Sequence, residues 1–229
     1  MNHQMHESLH TIAKSMKQLG LSSLAHAQHL LTAPYLDSEF TYYNRDLAVL
    51  QASHAAEILA KAHIAEHHPL LIFSQIPKPT QTDSETLDLK ALFETGKTIQ
   101  YHEIPDRLWA TTGYKIKQLQ LYQDFGKLRN SIQHFTSVRA ETFLAYKTLE
   151  FIYGIIDPMI HELWGIYAVN CIEEGLYSSE QKDFFRYLHF WEISFLMPEG
   201  FEEINRKAKQ SVKNQTTPLG QSFLKDENW

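Results

Sequence analysis

With 229 residues, 43% of them hydrophobic and 21% charged, the chain has the composition of a folded globular protein and not of a disordered one. Its formal net charge of −6 argues against a general binder of nucleic-acid backbone, which needs clustered lysine and arginine. We expect one domain over residues 1–204, with its core at about 44–170, followed by a polar tail over 205–229.

The cysteine content and the apolar segments indicate the cellular location to be expected for this protein. Cys171 is the single cysteine, so an intrachain disulfide and a thiolate metal cluster are both excluded, and a cytoplasmic location is expected. The amino-terminal stretch lacks the pattern of a signal peptide. The most apolar segment, residues 151–160, is short and contains Asp157 and Pro158, so no membrane span is expected.

Helical periodicity dominates the sequence. Apolar residues recur at three- and four-residue spacing and strict alternation is rare, which predicts an all-α helical bundle. We expect a first helix at about 5–19 that ends at Gly20, and a second that begins at Ser22 or Ser23 and ends near Thr32.

The third predicted helix has the clearest pattern. Asn44 is its expected cap, and the helix covers about residues 45–66. A polar loop at 75–86 and a shorter helix near 87–96 are expected to follow. The apolar face of the third helix is predicted to consist of Leu47, Leu50, His54, Ile58 and Ala62.

Long core helices are also predicted in the second half of the chain. One covers about 138–156, and Asp157 with Pro158 predicts a cap and a continuation to about 172. A later helix begins at Ser178 or Ser179, and its aromatic residues indicate core or dimer packing more than base stacking. Before these, a helix over 114–135 carries an apolar stripe of Ile116, Leu119, Tyr122, Phe125, Leu128, Ile132 and Phe135.

Within this helix, the segment GKLRNSIQHF also contains three polar residues that are common in catalytic and binding sites: Arg129, Asn130 and His134. Arginine offers a planar fork of donors to phosphate oxygens, histidine exchanges protons near neutral pH, and asparagine orients either group. On an ideal helix residues 130 and 134 share a face, whereas 129 and 134 differ by roughly 140°. Residues 115–147 carry six basic and two acidic side chains, so the segment lies in a locally positive stretch.

The string LRNSIQHF resembles the signature of HEPN-domain proteins, an arginine, a polar residue and a histidine after a short spacer. The earlier segment 53–73, with Glu57 and Lys61 one turn apart, resembles an earlier helix of bacterial HEPN-like proteins. The resemblance implies a metal-independent endoribonuclease without a cofactor, which cuts RNA to a 2′,3′-cyclic phosphate. It also implies that Arg129 binds the scissile phosphate, that Asn130 orients it, and that His134 is general base or acid.

The resemblance further implies a homodimer, in which symmetry supplies a second Arg129 and His134 to one cleft. Proteins of this family occur in toxin–antitoxin and other defence systems, so an antitoxin or another protein partner is expected beside RNA. In one toxin group a tyrosine two residues after the histidine is modified by a partner enzyme. Thr136 stands there in this chain, which puts that form of neutralisation in doubt.

Several alternatives remain open at the level of sequence. A non-catalytic HEPN-like bundle that binds RNA, a nucleotide or a protein is the second interpretation, and an unrelated helical protein is the third. Glu57 and Lys61 form either a simple ion pair on the helix surface or a support for Arg129 from the neighbouring helix. His63 and His67 have the spacing of a zinc half-site, but no further ligands accompany them, so no metal is expected.

Overall fold

The computed structural model describes residues 3–32, 43–78, 80, 87, 89–135, 141–172 and 178–213. These residues form an all-α bundle, which confirms the predicted fold class. None of the described helices is both long and apolar enough to cross a membrane. The helices are α1 (His3–Thr32), α2 (Asn44–His67), α3 (Leu89–Thr95), α4 (Ile104–Thr112), α5 (Leu119–Phe135), α6 (Glu141–Phe151), α7 (Asp157–Trp164), α8 (Ser178–Phe190) and α9 (Glu202–Lys213).

The first helix is one continuous element, and the predicted end at Gly20 is wrong. A Cβ atom on Gly20 would lie 2.6 Å from Cγ of Leu59, because α1 and α2 pack closely side by side. Gly20 therefore allows α1 and α2 to pack closely, and it does not end a helix. Glycine in a helix interior costs about 1 kcal/mol relative to alanine, a cost that this close packing offsets.

The buried face of the central helix α2 agrees only in part with the predicted one. Ala62 is fully buried and Leu50 and Ile58 are partly buried, whereas Leu47 is 44% exposed and His54 is exposed. Because α2 packs against α1, α4, α5 and α6, small side chains are needed where the neighbouring backbones approach. The buried strip is rich in alanine: Ala48, Ala52, Ala55, Ala56, Ala60 and Ala65.

A short two-stranded antiparallel sheet follows α2, and it was not predicted. Its strands are β1 (Phe73–Gln75) and β2 (Lys97–Thr98). The backbone N–H of Ile99 extends the pairing by donating to the carbonyl of Ile72 at 2.8 Å. The sheet fixes the start of the segment 97–105 beside α2 and α5, which positions the site described below.

Helices α6 and α7 form one rod that contains a π-helical turn at Ile152–Ile156. The rod ends at Trp164, where Gly165 has a φ of 67°, so the predicted continuation of the helix to about 172 is wrong. Residue 138, the predicted start, lies outside the described residues. Asp157 is buried and does not cap its own helix, because its carboxylate accepts the backbone N–H groups of Ala168 at 2.8 Å and Leu196 at 2.9 Å.

The carboxy-terminal part of the described chain is helical where the sequence predicted a polar tail. Helix α9 extends through Lys213, packs on α8 and buries Ala208 completely. The predicted tail from residue 205 therefore begins inside a packed helix, and residues 214–229 lie outside the described residues. The aromatic residues Phe184, Phe185 and Trp191 of the α8 region are buried in the core.

A cleft at Arg129 and Asn130

A cleft of about 620 Å³ lies between α5, α2 and the segment 98–105. Its volume is in the range of small-molecule sites in proteins. Arg129 and Asn130 both line it, as does Glu57. The remaining lining residues are Thr98, Ile99, Gln100, Tyr101, His102, Pro105, Tyr122, Gln123, Gly126 and Lys127.

Two tyrosines form the floor of the cleft. The rings of Tyr101 and Tyr122 are stacked, with centroids 4.3 Å apart and planes inclined by 5°. Each hydroxyl donates to the other residue's backbone carbonyl oxygen, at 3.2 Å from Tyr101 and 3.0 Å from Tyr122. Burial raises the pKa of both hydroxyls well above the ordinary value of 10.0. The pair is therefore an uncharged and rigid aromatic surface.

Gly126 allows the Tyr101 ring to lie against α5. A Cβ atom at Gly126 would come within 2.7 Å of Cε1 of Tyr101. The guanidinium of Arg129, one turn further along α5, lies over the same ring, with Cζ 5.7 Å from its centroid. The ring thus contacts both the helix backbone and the arginine, an arrangement that is worth about 0.5–2 kcal/mol for a cation on an aromatic face.

Glu57 connects the two cations of the site. Its Oε1 atom accepts a hydrogen bond from the Lys61 ammonium at 2.7 Å, and its Oε2 atom lies 3.8 Å from Nη2 of Arg129. The Lys61 side chain is only 5% exposed and also approaches the Thr98 hydroxyl at 3.4 Å. Glu57 and Lys61 are therefore a largely buried pair that contacts Arg129 across the two helices and not a solvated pair on the helix surface. One carboxylate shared by two cations leaves the site with a positive balance.

Lys127 adds a further cation at the mouth of the cleft. Its ammonium is exposed and forms an ion pair with Asp124 at 2.8 Å. Hydrogen bonds from Lys127 and Gln120 hold the pKa of the Asp124 carboxyl below its ordinary value. Such exposed pairs contribute little to stability, so Lys127 can exchange this partner for a ligand at small cost.

His134 is not among the residues that line the cleft. Helix α5 continues regularly to Phe135, and it neither ends nor bends before His134. The imidazole is exposed and, by ideal helix geometry, lies about one turn beyond Asn130 on the same face, roughly 140° from Arg129. Within one chain, the structure thus brings Arg129, Asn130, Glu57 and Lys61 together and leaves His134 outside the cleft lining.

The histidine pair that has the spacing of a zinc half-site, and for which no metal was expected, makes other contacts. His63 contacts Glu66 at 2.8 Å, and Glu66 also accepts the indole N–H of Trp164 at 2.9 Å. Lys17 of α1 lies 4.5 Å from the Trp164 ring. These contacts connect α1, α2 and α7 at the surface. No cluster of three or more His, Cys, Asp or Glu side chains suited to a metal ion occurs in the described part of the chain.

Sequence reasoning missed the aromatic floor and His102. Tyr101 and His102 lie in a 3₁₀ turn (Tyr101–Glu103) that precedes α4, far from the HEPN-like segment in sequence. One signal was present, since Gly126 in the middle of an amphipathic helix indicates a close approach by another group. No signal identified which group approaches.

Comparisons with protein-family models, with curated proteins and with solved structures give no match to this chain. The HEPN resemblance therefore rests on the residues quoted above.

Proposed function

We propose that the chain is a metal-independent endoribonuclease of HEPN type, with Arg129 in its cleft as the phosphate-binding residue. The observation that carries the proposal is the cleft itself, which Arg129 and Asn130 both line and in which Arg129 lies over the Tyr101 ring and 3.8 Å from the Glu57 carboxylate. Arginine binds two oxygens of a phosphate with parallel hydrogen bonds.

The contacts of Arg129 favour a role in binding over a role in packing alone. Glu57 at 3.8 Å and the Tyr101 ring at 5.7 Å restrict the guanidinium without engaging all five of its N–H donors at hydrogen-bond distance. A side chain that is already oriented loses less entropy when a ligand binds. A phosphodiester would also offset the net positive charge of Arg129, Lys61 and Lys127 against Glu57 and Asp124.

RNA carries its own nucleophile, the 2′-hydroxyl, so the reaction needs proton transfer and charge stabilisation. In the proposed reaction the 2′-oxygen attacks phosphorus, the bond from phosphorus to the 5′-oxygen breaks, and Arg129 stabilises the charge on the non-bridging oxygens. His134 exchanges a proton with one of the two reacting oxygens. The products are a 2′,3′-cyclic phosphate and a 5′-hydroxyl.

A homodimer is part of the proposal. His134 lies about one turn beyond Asn130 on α5 and outside the cleft lining, so an RNA strand that follows α5 past Asn130 would reach it after leaving the cleft. A twofold arrangement would place a second Arg129 and His134 near the same strand, as the resemblance implies.

A non-catalytic binding module is the second candidate. It is favoured by the position of His134 outside the cleft lining, whereas the residues suited to binding all line it. Such a module would hold RNA, a nucleotide or a protein partner at Arg129 without cutting.

The test is the incubation of total RNA with the purified protein in EDTA. Wild type is compared with Arg129→Ala and His134→Ala, and Lys117→Ala is the control, because Lys117 is an exposed cation paired with Glu162 outside the cleft lining. The proposal predicts fragments with 2′,3′-cyclic phosphate ends, lost in the first two variants and retained in the control. RNA binding by wild type without any cleavage would instead support the binding module.

A further inference from the structure

The cleft contains a histidine that the proposed reaction has not used. His102 lines the cleft across from α5, and its side chain is exposed. Its backbone belongs to the 3₁₀ turn that also carries Tyr101. Arg129, Asn130 and His102 therefore border one space, which His134 does not enter.

The backbone that carries His102 is fixed on both sides. Before it, Tyr101 is held by its stacked contact and reciprocal hydrogen bonds with Tyr122. After it, the carboxylate of Glu103 accepts the backbone N–H of Gln100 at 2.7 Å, and the Glu103 N–H donates to the Gln100 carbonyl at 2.9 Å. These contacts define the backbone position from which the His102 side chain borders the cleft, and a proton-transfer group needs such positioning.

Cleavage of RNA by its 2′-hydroxyl needs two proton transfers. One group removes the proton of the 2′-hydroxyl, and another gives a proton to the departing 5′-oxygen. Within one protomer, the single His134 can serve only one of these at a time. The cleft geometry supplies a candidate for the other.

We propose that His102 is the general base of the reaction and that His134 is the general acid. This inference rests on the proposed ribonuclease function. The neutral imidazole of His102 accepts the 2′-hydroxyl proton while the bond between the 2′-oxygen and phosphorus forms. The imidazolium of His134 donates its proton to the 5′-oxygen as that oxygen leaves phosphorus. Each histidine then holds the protonation state in which the other began, and exchange with water restores both.

The assignment of the two roles follows from the shape of the site. A cleft of about 620 Å³ accommodates one nucleotide, whose ribose would lie beside His102. The phosphate then meets Arg129, and the outgoing strand passes Asn130 toward His134, about one turn further along α5. The 2′-hydroxyl therefore belongs to the nucleotide at His102, and the 5′-oxygen belongs to the strand that departs toward His134.

Charged groups around His102 come from three sides. Arg129 and Lys127 lie on α5, and Glu57 lies on α2. Glu103 and Asp106 are close to His102 in sequence. A bound phosphodiester adds a negative charge to this set. The acidic limb of the pH–rate profile reports the base, which must be neutral, and the alkaline limb reports the acid, which must be protonated.

The experiment compares an oligoribonucleotide with uridine 3′-(4-nitrophenyl phosphate), whose nitrophenolate leaves without receiving a proton. The variants are His102→Ala and His134→Ala, with His54→Ala as the control, since His54 is an exposed histidine of α2 outside the cleft lining. Circular dichroism and the anisotropy of a bound non-cleavable 2′-deoxy oligonucleotide verify the fold and the binding site in every variant.

On the oligoribonucleotide both variants should lose roughly 10²- to 10⁴-fold in rate, as is usual for the loss of a general acid or base. On the activated substrate, His134→Ala should recover to near the wild-type rate, and His102→Ala should stay slow and lack the acidic limb of the profile. Wild-type cleavage by His102→Ala, with Arg129→Ala and His134→Ala inactive, would overturn the role of His102 and leave the ribonuclease in place. A wild type inert toward both substrates would overturn the ribonuclease and this inference together.

Discussion

Tyr101 and Tyr122 donate hydrogen bonds to each other's backbone carbonyl oxygens across stacked rings whose planes differ by 5°. This reciprocal pair attaches the segment before α4 to α5, two parts of the chain that are separated by 21 residues. It also creates the surface on which the Arg129 guanidinium lies. The position of the arginine in the cleft therefore depends on two residues outside the HEPN-like segment.

The tyrosine pair predicts a specific loss of stability at alkaline pH. Because burial raises the folded-state pKa of Tyr101 above 10.0, the unfolded chain releases this proton at a lower pH than the folded chain. Stability is then unaffected by this group below pH 10 and falls above it, by up to about 1.4 kcal/mol per pH unit. Tyr101→Phe should be less stable at pH 7 by about 1 kcal/mol, through the lost hydrogen bond, but should decline less steeply above pH 10. Urea unfolding between pH 7 and 11 measures both effects, and equal slopes for the two proteins would contradict the buried pair.

Gly126→Ala tests the close approach of Tyr101 to α5. The new Cβ would meet a ring that stacking and its hydroxyl bond hold in place, so overpacking of about 1–3 kcal/mol should exceed the gain of about 1 kcal/mol in helix propensity. We expect a lower free energy of unfolding and weaker binding of an oligoribonucleotide.

Gly20→Ala is the matched control for that substitution. Its Cβ would meet Leu59 at the contact of α1 with α2, outside the cleft lining, so stability should fall while oligonucleotide affinity is unchanged. If both variants keep wild-type affinity, the Tyr101 ring is not part of the binding surface.

Glu57→Ala should destabilise the protein by roughly 3 kcal/mol, because the nearly buried Lys61 ammonium loses its carboxylate. The half-buried pair of Lys147 and Glu150 at 2.9 Å provides the comparison, and Glu150→Ala should cost less than about 1 kcal/mol. Denaturant midpoints of the two variants provide the measurement. A similar small loss in both would mean that the Lys61 ammonium is well solvated in the folded protein.

Asp157→Asn should lower the free energy of unfolding by about 1–3 kcal/mol, since an amide can accept only one of the two backbone N–H groups that the carboxylate now accepts.

Desolvation by burial raises the pKa of Asp157 despite these two hydrogen bonds. The folded state therefore holds the proton more tightly, and wild type should gain stability over Asp157→Asn as the pH falls through the raised pKa toward 3.8. Thermal melts of both proteins from pH 4 to 7 test the sign, and a difference that is independent of pH would contradict it.

The helical class and the buried stripe of α5 were predictable because they depend on local periodicity. Tyr122, Phe125, Leu128 and Ile132 are buried at the three- and four-residue spacing that the sequence displays, whereas Leu119, at the start of the helix, is 42% exposed. The buried face of α2 was not predictable, since its alanines become core residues only because four other helices pack around them. Pattern alone favoured larger residues such as Leu47, which the structure exposes.

Two other predictions were wrong because glycine and aspartate each have more than one common structural role. Glycine is common at the end of a helix, yet Gly20 lies inside α1 and packs against Leu59, which is 39 positions later in the sequence. Asp157 before proline is typical of a cap, yet its partners are backbone groups 11 and 39 residues away. Within the site, the pairing of Glu57 with Lys61 follows from helix spacing, whereas the approach of Tyr101 and His102 depends on the sheet and the turn.

The most direct test of the account is the rate at which Arg129→Ala cleaves a fluorophore-quencher oligoribonucleotide in EDTA, relative to wild type and to the control Lys117→Ala. We predict metal-free cleavage by wild type and the control, and a loss of roughly 10²- to 10³-fold in Arg129→Ala, comparable to the removal of one charge-stabilising donor at a transition state. Equal rates in all three proteins, or no cleavage by folded wild type as monomer or dimer, would contradict the assignment of the cleft as a ribonuclease site.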